Sequence, residues 1–174
     1  FVLQLKIKKN IIIYKNLINN NYINIYNNLV NFSRNKNIYS IFTSKDTFSD
    51  RLIILMFHFG FFLKAYKKTQ NKEEMQRVYD FFFRQLELSI REIGYGDASI
   101  NKKMKTYINT FHSILLEIEN WEKYSILKKN EIIKIYINND VNFNDLSEYF
   151  DKYVNFLIKN SFNLFIKSVI KTKL

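Results

Sequence analysis

The fold is decided around residues 84–105, which read RQLELSIREIGYGDASINKKMK. Two of the chain's three glycines, Gly94 and Gly96, fall inside this stretch. Gly94 follows an apolar-periodic run, and a residue without a Cβ adopts the left-handed conformation just past a helix end at little cost. Asp97 and Ser99 are suited to cap a following helix, because their side chains accept hydrogen bonds from orphaned backbone N–H groups. The stretch therefore predicts a junction where one helix ends and another begins.

The composition of the whole chain favours an all-α protein. The 174 residues are 47% hydrophobic and include three glycines and no proline, so the residues that hairpins and long loops need are almost missing. A chain of this length buries a sizeable core as one domain. We therefore expect a single compact multi-helix domain of about six helices over residues 21–174, with no linker or internal repeat dividing it.

Apolar residues at steps of three and four predict where the helices lie. Asn144 or Asp145 is the expected cap of the last helix. Nearly every residue from Leu52 to Leu63 is apolar, which is typical of a central core helix, with a surface open to an apolar client as the alternative. As a helix this run is about 18 Å long, too short for a hydrocarbon core of about 30 Å. The first expected helix covers about 22–33, and the second runs to about 68 with Asp46, Thr47 or Ser49 as its cap. The others cover about 75–93, from the Gly94 turn to about 121, 130–137 and 146–170, the last interrupted around Asn160-Ser161.

Positive charge is concentrated at the start of the chain. The net charge is +11, and residues 1–45 carry six lysines and one arginine with no acidic residue before Asp46. Such a segment suggests an anionic partner, either ribosomal RNA or a phospholipid surface, and AT-rich codon usage is an equally good explanation. We expect residues 1–20 to form a poorly ordered basic arm. A basic amphipathic helix over residues 1–18, lying on a membrane, is the alternative.

The sequence contains no catalytic or metal-binding pattern. It has no Gly-rich phosphate loop, nucleophile elbow or dinucleotide fingerprint, and without cysteine it has no disulfide, thiol nucleophile or thiolate ligand. His58 and His112 are far apart and lack partners at metal-ligand spacing. We interpret each as a satisfied, partly buried histidine. We therefore expect a protein that is not an enzyme, with no catalytic residue, metal or cofactor.

The junction also carries a family resemblance. Residues 90–97, IREIGYGD, followed by KKMK at residues 102–105, resemble the ubiquinol–cytochrome c chaperone family, which typically has Leu-Arg-Glu-Met-Gly-Val-Gly-Asp and then a Lys-Arg-Met-Lys-like turn. Leu55-Met56-Phe57-His58 resembles that family's apolar helix with a central histidine, and the resemblance extends over about residues 22–125. One departure is Phe111-His112-Ser113-Ile114, where the family usually has Phe-Tyr-Gly-Arg.

The resemblance implies a non-catalytic assembly factor that binds newly made cytochrome b and promotes assembly of the cytochrome bc1 complex, respiratory complex III. It also implies a location at the cytoplasmic face of a bacterial inner membrane, or at the matrix face of the mitochondrial one. Further implied partners are the ribosome near its tunnel exit and a second assembly factor in a heterodimer, and the basic charge of the chain adds an anionic membrane surface. The matching positions expected to contact a client or partner are His58, Arg91, Glu92, Asp97, Lys102, Lys103, Met104 and Lys105, with Gly94 and Gly96 as structural turn residues.

Two other functions stay open on the sequence alone. One is a basic helical module that binds RNA or the ribosome, with an affinity that falls steeply with salt. The other is a peripheral membrane-surface protein that uses residues 1–18 as its anchor.

Overall fold

Helices build the fold over the part of the chain that the computed structural model describes, residues 21–42, 47–94, 96–138 and 140–171 without the side chains of Asp97 and Ala98. The predicted basic arm, residues 1–20, lies outside these ranges. Within them the strand-like pairing is limited to an isolated antiparallel bridge between Phe42 and Val141, so the all-α prediction is confirmed. In chain order the helices are α1 (21–33), α2 (Lys36–Tyr39), α3 (Phe48–Tyr66), α4 (Lys72–Glu92), α5 (Asp97–Glu117), a 3₁₀ turn (Trp121–Lys123), α6 (Ile126–Tyr136), α7 (Phe143–Lys159) and α8 (Phe162–Lys167).

Helix α3 forms the centre of the core, as its apolar sequence predicts. All of its residues from Leu52 to Phe62 are buried, and the helix packs against α5 and α7. Phe59 stacks on Phe82 of α4 and on Phe111 of α5, with ring centroids 3.8 and 5.1 Å apart. Stacked aromatic pairs of this kind add to the stabilisation from burial. Helix α3 therefore fixes the position of the α4–α5 hairpin.

The predicted junction joins α4 to α5. Gly94 has a φ of +100°, and its N–H donates to the Arg91 carbonyl at 2.9 Å, which confirms the left-handed residue past a helix end. The predicted N-caps are wrong. Gly96 occupies the cap position in an extended conformation, Asp97 is the first residue of α5, and the Ser99 hydroxyl donates back to the Gly96 carbonyl at 2.8 Å. Glycine adopts the cap conformation without help from a side chain. Helix α5 therefore begins at Asp97, earlier than it would if Asp97 or Ser99 were its cap.

Three other helices begin earlier than their apolar spacing predicts, because a polar side chain caps each of them upstream. The caps are Asn71 for α4, Ser125 for α6 and Asn142 for α7, and each accepts from the backbone N–H three residues on, at 2.7, 3.3 and 3.3 Å. The last of these replaces the predicted caps two and three residues downstream. The predicted interruption near residue 160 is confirmed by the break between α7 and α8. None of the described helices is both long enough and apolar enough to cross a bilayer.

Candidate functional site

An open groove lies between the end of α3, the start of α4 and the end of α5. Its volume is about 720 Å³. We call it the apolar groove because aliphatic and aromatic side chains from all three helices line it, with polar residues among them. Its lining consists of Leu63, Met75, Tyr79, His112, Leu115 and Leu116, together with Lys64, Lys67, Lys72, Gln76 and Glu119.

Leu116 gives the groove its most accessible apolar surface. Its side chain is 79% exposed, whereas Ile114 and Ile118, two residues before and two residues after it, are fully buried. Exposed apolar area within a concave surface is typical of a site that binds an apolar partner. Removing a leucine side chain from water contributes about 2 kcal/mol. The groove therefore favours a partner that covers Leu116.

Tyr79 and His112 connect α4 to α5 at the groove. The Tyr79 hydroxyl lies 2.9 Å from His112 Nε2, and the two rings are inclined by 26°. Burial, and then the charge of Asp80, raises the pKa of Tyr79 above its ordinary value, so the phenol keeps its proton at neutral pH. His112 is thus hydrogen-bonded, as expected, but it is exposed rather than partly buried. It belongs to the turn of helix at which the sequence departs from the family pattern.

Two ion pairs border the groove and connect the ends of α3 and α5. Lys64 Nζ donates to the Ile118 carbonyl at 2.9 Å and to the Glu122 carboxylate at 2.5 Å. Lys67 Nζ lies 2.7 Å from the Glu119 carboxylate. Burial raises the pKa of Glu122, but the hydrogen bond from Lys64, a backbone hydrogen bond and the charges of Lys64 and Lys129 together outweigh it, so the pKa lies below its ordinary value. Lys64 also stabilises the carbonyl end of α5, because its ammonium donates to the Ile118 carbonyl there.

Comparison with known families identifies the domain that carries this groove. The family model for the ubiquinol-cytochrome C chaperone matches residues 41–120. The chain therefore carries a ubiquinol-cytochrome C chaperone domain over these residues. The matched residues include the whole apolar groove and the α4–α5 junction, so the resemblance seen at the junction is confirmed.

The fold around this ubiquinol-cytochrome C chaperone domain is shared with a solved structure. The chain is similar to the crystal structure of the Cbp3 homolog from Brucella abortus, with a TM-score of 0.69 and 23% sequence identity over 98% of this chain and 97% of that chain. At this identity the likeness concerns the fold alone. A comparison with curated proteins finds no match.

Most of the residues that the sequence analysis predicted as contact sites in this chaperone domain lie at the other end of the α4–α5 hairpin. Gln76 in the groove and Arg91 near the junction are separated by about 22 Å of helix. Arg91 Nη2 donates to the Glu87 carboxylate at 2.7 Å. The side chain of Asp97 lies outside the described residues. We call the remaining set the junction surface, which comprises Arg91, Glu92, Lys102, Lys103 and Lys105, half-buried or exposed.

Two of the predicted contact residues are buried. Met104 is 8% exposed, and His58 has no exposed surface. His58 Nδ1 lies 2.7 Å from the Ile54 carbonyl, and Nε2 lies 2.8 Å from the Tyr149 hydroxyl. Nδ1 therefore carries the proton, and burial lowers the pKa of His58 to about 4 against the opposing effect of the carbonyl. Direct contact with a partner is not available to either residue in this structure, where both support the packing of the core.

The groove residues were missed by the sequence prediction, although one signal pointed to them. Leu115 and Leu116 are adjacent, and successive residues on a helix lie about 100° apart. The pair therefore widens the apolar face of α5 beyond the row that faces the core, and Leu116 lies outside that row, 79% exposed. Within the described ranges, no group of three His, Asp or Glu residues is placed to hold a metal ion.

Proposed function

We propose that this protein holds newly made cytochrome b and promotes assembly of the cytochrome bc1 complex without catalysing a reaction. The observation that carries the proposal is the open apolar groove with its exposed Leu116, in a chain that carries a ubiquinol-cytochrome C chaperone domain. The chaperone domain covers residues 21–174, and residues 1–20 form its basic arm. The protein works at the cytoplasmic face of a bacterial inner membrane or at the matrix face of the mitochondrial one.

The groove binds an apolar helix of the client before that helix has its final neighbours. Helices dock into grooves through side chains at positions i, i+3 or i+4, and i+7 on one face. A groove of about 720 Å³ accommodates several such side chains. Covering Leu116 removes apolar surface of both proteins from water. Because the attraction is non-covalent, the client is released when its partners in the bc1 complex cover the same surface.

The junction surface makes a second contact, with the ribosome or with a second assembly factor. Lys102, Lys103 and Lys105 lie in the first turns of α5. Their position suits a binding role, and exposed lysines attract the phosphates of ribosomal RNA. A distance of about 22 Å from the groove lets both surfaces be used together.

The test is to deplete the gene in its native host and record reduced-minus-oxidised absorbance spectra of the membranes. We expect a selective loss of the cytochrome b signal, restored by the wild-type gene. Leu116→Asp should fail to restore it, because a carboxylate in the groove must be desolvated when an apolar client binds. Retention of cytochrome b in pull-downs should fall by about tenfold or more.

Ser113→Asp is the matched control, since it adds the same charge on an exposed position of α5 outside the groove. It should restore the spectrum. Lys102→Gln combined with Lys105→Gln tests the junction surface separately. Unchanged spectra with intact bc1 activity after depletion would overturn the proposal, and salt-dependent RNA binding would then be the function to measure.

A further inference from the structure

A second cleft lies beside the apolar groove, between the end of α3, the 3₁₀ turn and the end of α7. Its volume is about 460 Å³. The two depressions share Lys64, Lys67 and Glu119 as a common border. We call this second depression the basic cleft.

The basic cleft carries positive charge that nothing in its own lining neutralises. Its two glutamates are paired, Glu119 with Lys67 and Glu122 with Lys64. Lys68 and Lys123 also line the cleft, are exposed, and have no ion-pair partner among the residues that the structure describes. After pairing, two lysine charges remain, facing the same opening, which favours an anionic ligand.

Aliphatic surface lies next to these lysines. Ile158 of α7 lines the cleft with 66% of its surface exposed, and Leu116 protrudes in the groove on the other side of the shared border. Exposed aliphatic residues among lysines are typical of protein surfaces that sit at the headgroup boundary of a membrane. They give no advantage to a surface that faces only water.

The lining is less suited to a nucleic acid or to the chain's own basic arm. Proteins that bind single-stranded nucleic acid stack bases on exposed aromatic rings or on arginine. Within the described lining of the cleft there is no arginine, and its aromatic residue, Phe61, is buried. Residues 1–20 carry four lysines and no acid, so their charge would be repelled by Lys68 and Lys123.

We propose that the basic cleft docks the protein on a bilayer that contains anionic phospholipid. Lys68 and Lys123 contact lipid phosphates, and Ile158 inserts at the boundary between headgroups and acyl chains. Docking in this way sets the apolar groove beside the membrane from which a membrane-protein client would come. The proposal is independent of the identity of the client, because a vesicle assay contains no cytochrome b.

The test is co-flotation of the full chain with vesicles of phosphatidylcholine alone, or with 30% phosphatidylglycerol, at physiological salt. We expect binding only to the anionic vesicles. Lys68→Gln combined with Lys123→Gln should lower the partition coefficient by about thirtyfold, since each lysine near an anionic surface contributes about fivefold. Ile158→Asp should lower it on the order of tenfold, because it removes the inserted apolar surface.

Lys36→Gln combined with Lys167→Gln is the matched control, as it removes the same charge from exposed positions outside the basic cleft. An equal loss in this control would overturn the proposal in favour of general attraction by net charge. Loss of binding only on changing Lys6, Lys8, Lys9 and Lys15 to Gln would overturn it in favour of the basic arm. Saturable binding of inorganic phosphate without binding of vesicles would also overturn it, as would displacement of vesicles by homopolymeric RNA through Lys68 and Lys123.

Discussion

His58 is held in the core as a neutral imidazole, which makes the stability of the protein depend on pH. Its pKa in the folded protein is about 4, lowered by burial from the ordinary value of 6.5. Between these values the unfolded chain binds a proton that the folded chain does not. The stability that comes from keeping His58 neutral is therefore complete above pH 6.5 and is lost as the pH falls towards 4. We expect His58 to lower the free energy of unfolding by about 2.5 kcal/mol between pH 7.5 and pH 4.5.

Denaturant unfolding of the wild type and of His58→Gln at the two pH values measures this contribution. Glutamine keeps a polar side chain at the position but does not titrate. All other side chains are the same in the two proteins, so their effects cancel in the difference. The same pH dependence in the two proteins would contradict a neutral, buried His58.

Residue chemistry is predictable from sequence where its cause is local. The left-handed Gly94 follows from the end of its own helix and was predicted. His58 was predicted to be satisfied, and it is, but its partner Tyr149 is 91 positions away, a distance over which spacing carries no information. The N-cap of α5 was misplaced for a different reason, because a glycine cap leaves no side-chain signal.

Helices α3 and α5 approach each other closely at Gly60. A Cβ at this position would lie 2.9 Å from Cδ1 of Ile118, which is fully buried. Overpacking of this kind costs about 1 to 3 kcal/mol, and alanine's helix propensity returns about 1 kcal/mol. We expect Gly60→Ala to lower the free energy of unfolding by about 1 kcal/mol, measured by denaturant unfolding.

Ile118→Val removes Cδ1 and leaves room for the added methyl group. In that background Gly60→Ala should become neutral or stabilising, because the clash is gone and the gain in helix propensity remains. A double-mutant cycle isolates this coupling. If Gly60→Ala costs the same in both backgrounds, Cδ1 of Ile118 does not set the distance between the helices.

Helix periodicity predicted the buried faces but not the space between them. The spacing of Ile100, Phe111 and Ile118 indicates which side of α5 faces the core, and all three are fully buried. The apolar groove depends instead on how the ends of three helices meet. Its residues come from α3, α4 and α5 and are distant in sequence. Periodicity shows that a face is apolar, whereas only the packing shows which part of it stays uncovered.

At the scale of the whole molecule, hydrogen bonds hold the first described helix, α1, against the end of the last one, α8. Asn28 of α1 is fully buried. Its side-chain amide donates to the carbonyls of Phe165 and Ser168 at 3.1 and 2.9 Å, and its oxygen accepts from the Ile170 N–H at 2.7 Å. One side chain thus satisfies three backbone groups at the end of α8. A buried asparagine among apolar residues gives no hint of this in the sequence, because its partners lie more than a hundred positions away.

We expect Asn28→Ala to release the end of α8, because three backbone groups lose their partner and a buried unsatisfied polar group costs about 1 to 3 kcal/mol. Hydrogen exchange should become at least tenfold faster over residues 162–170, and the free energy of unfolding should fall by about 3 kcal/mol. Asn27→Ala is the control, since Asn27 is the exposed neighbour on the same helix, and it should change neither. Faster exchange confined to α1 would contradict this role of Asn28. The loss of stability would then come from the helix that carries the substitution, and not from the hydrogen bonds between Asn28 and the end of α8.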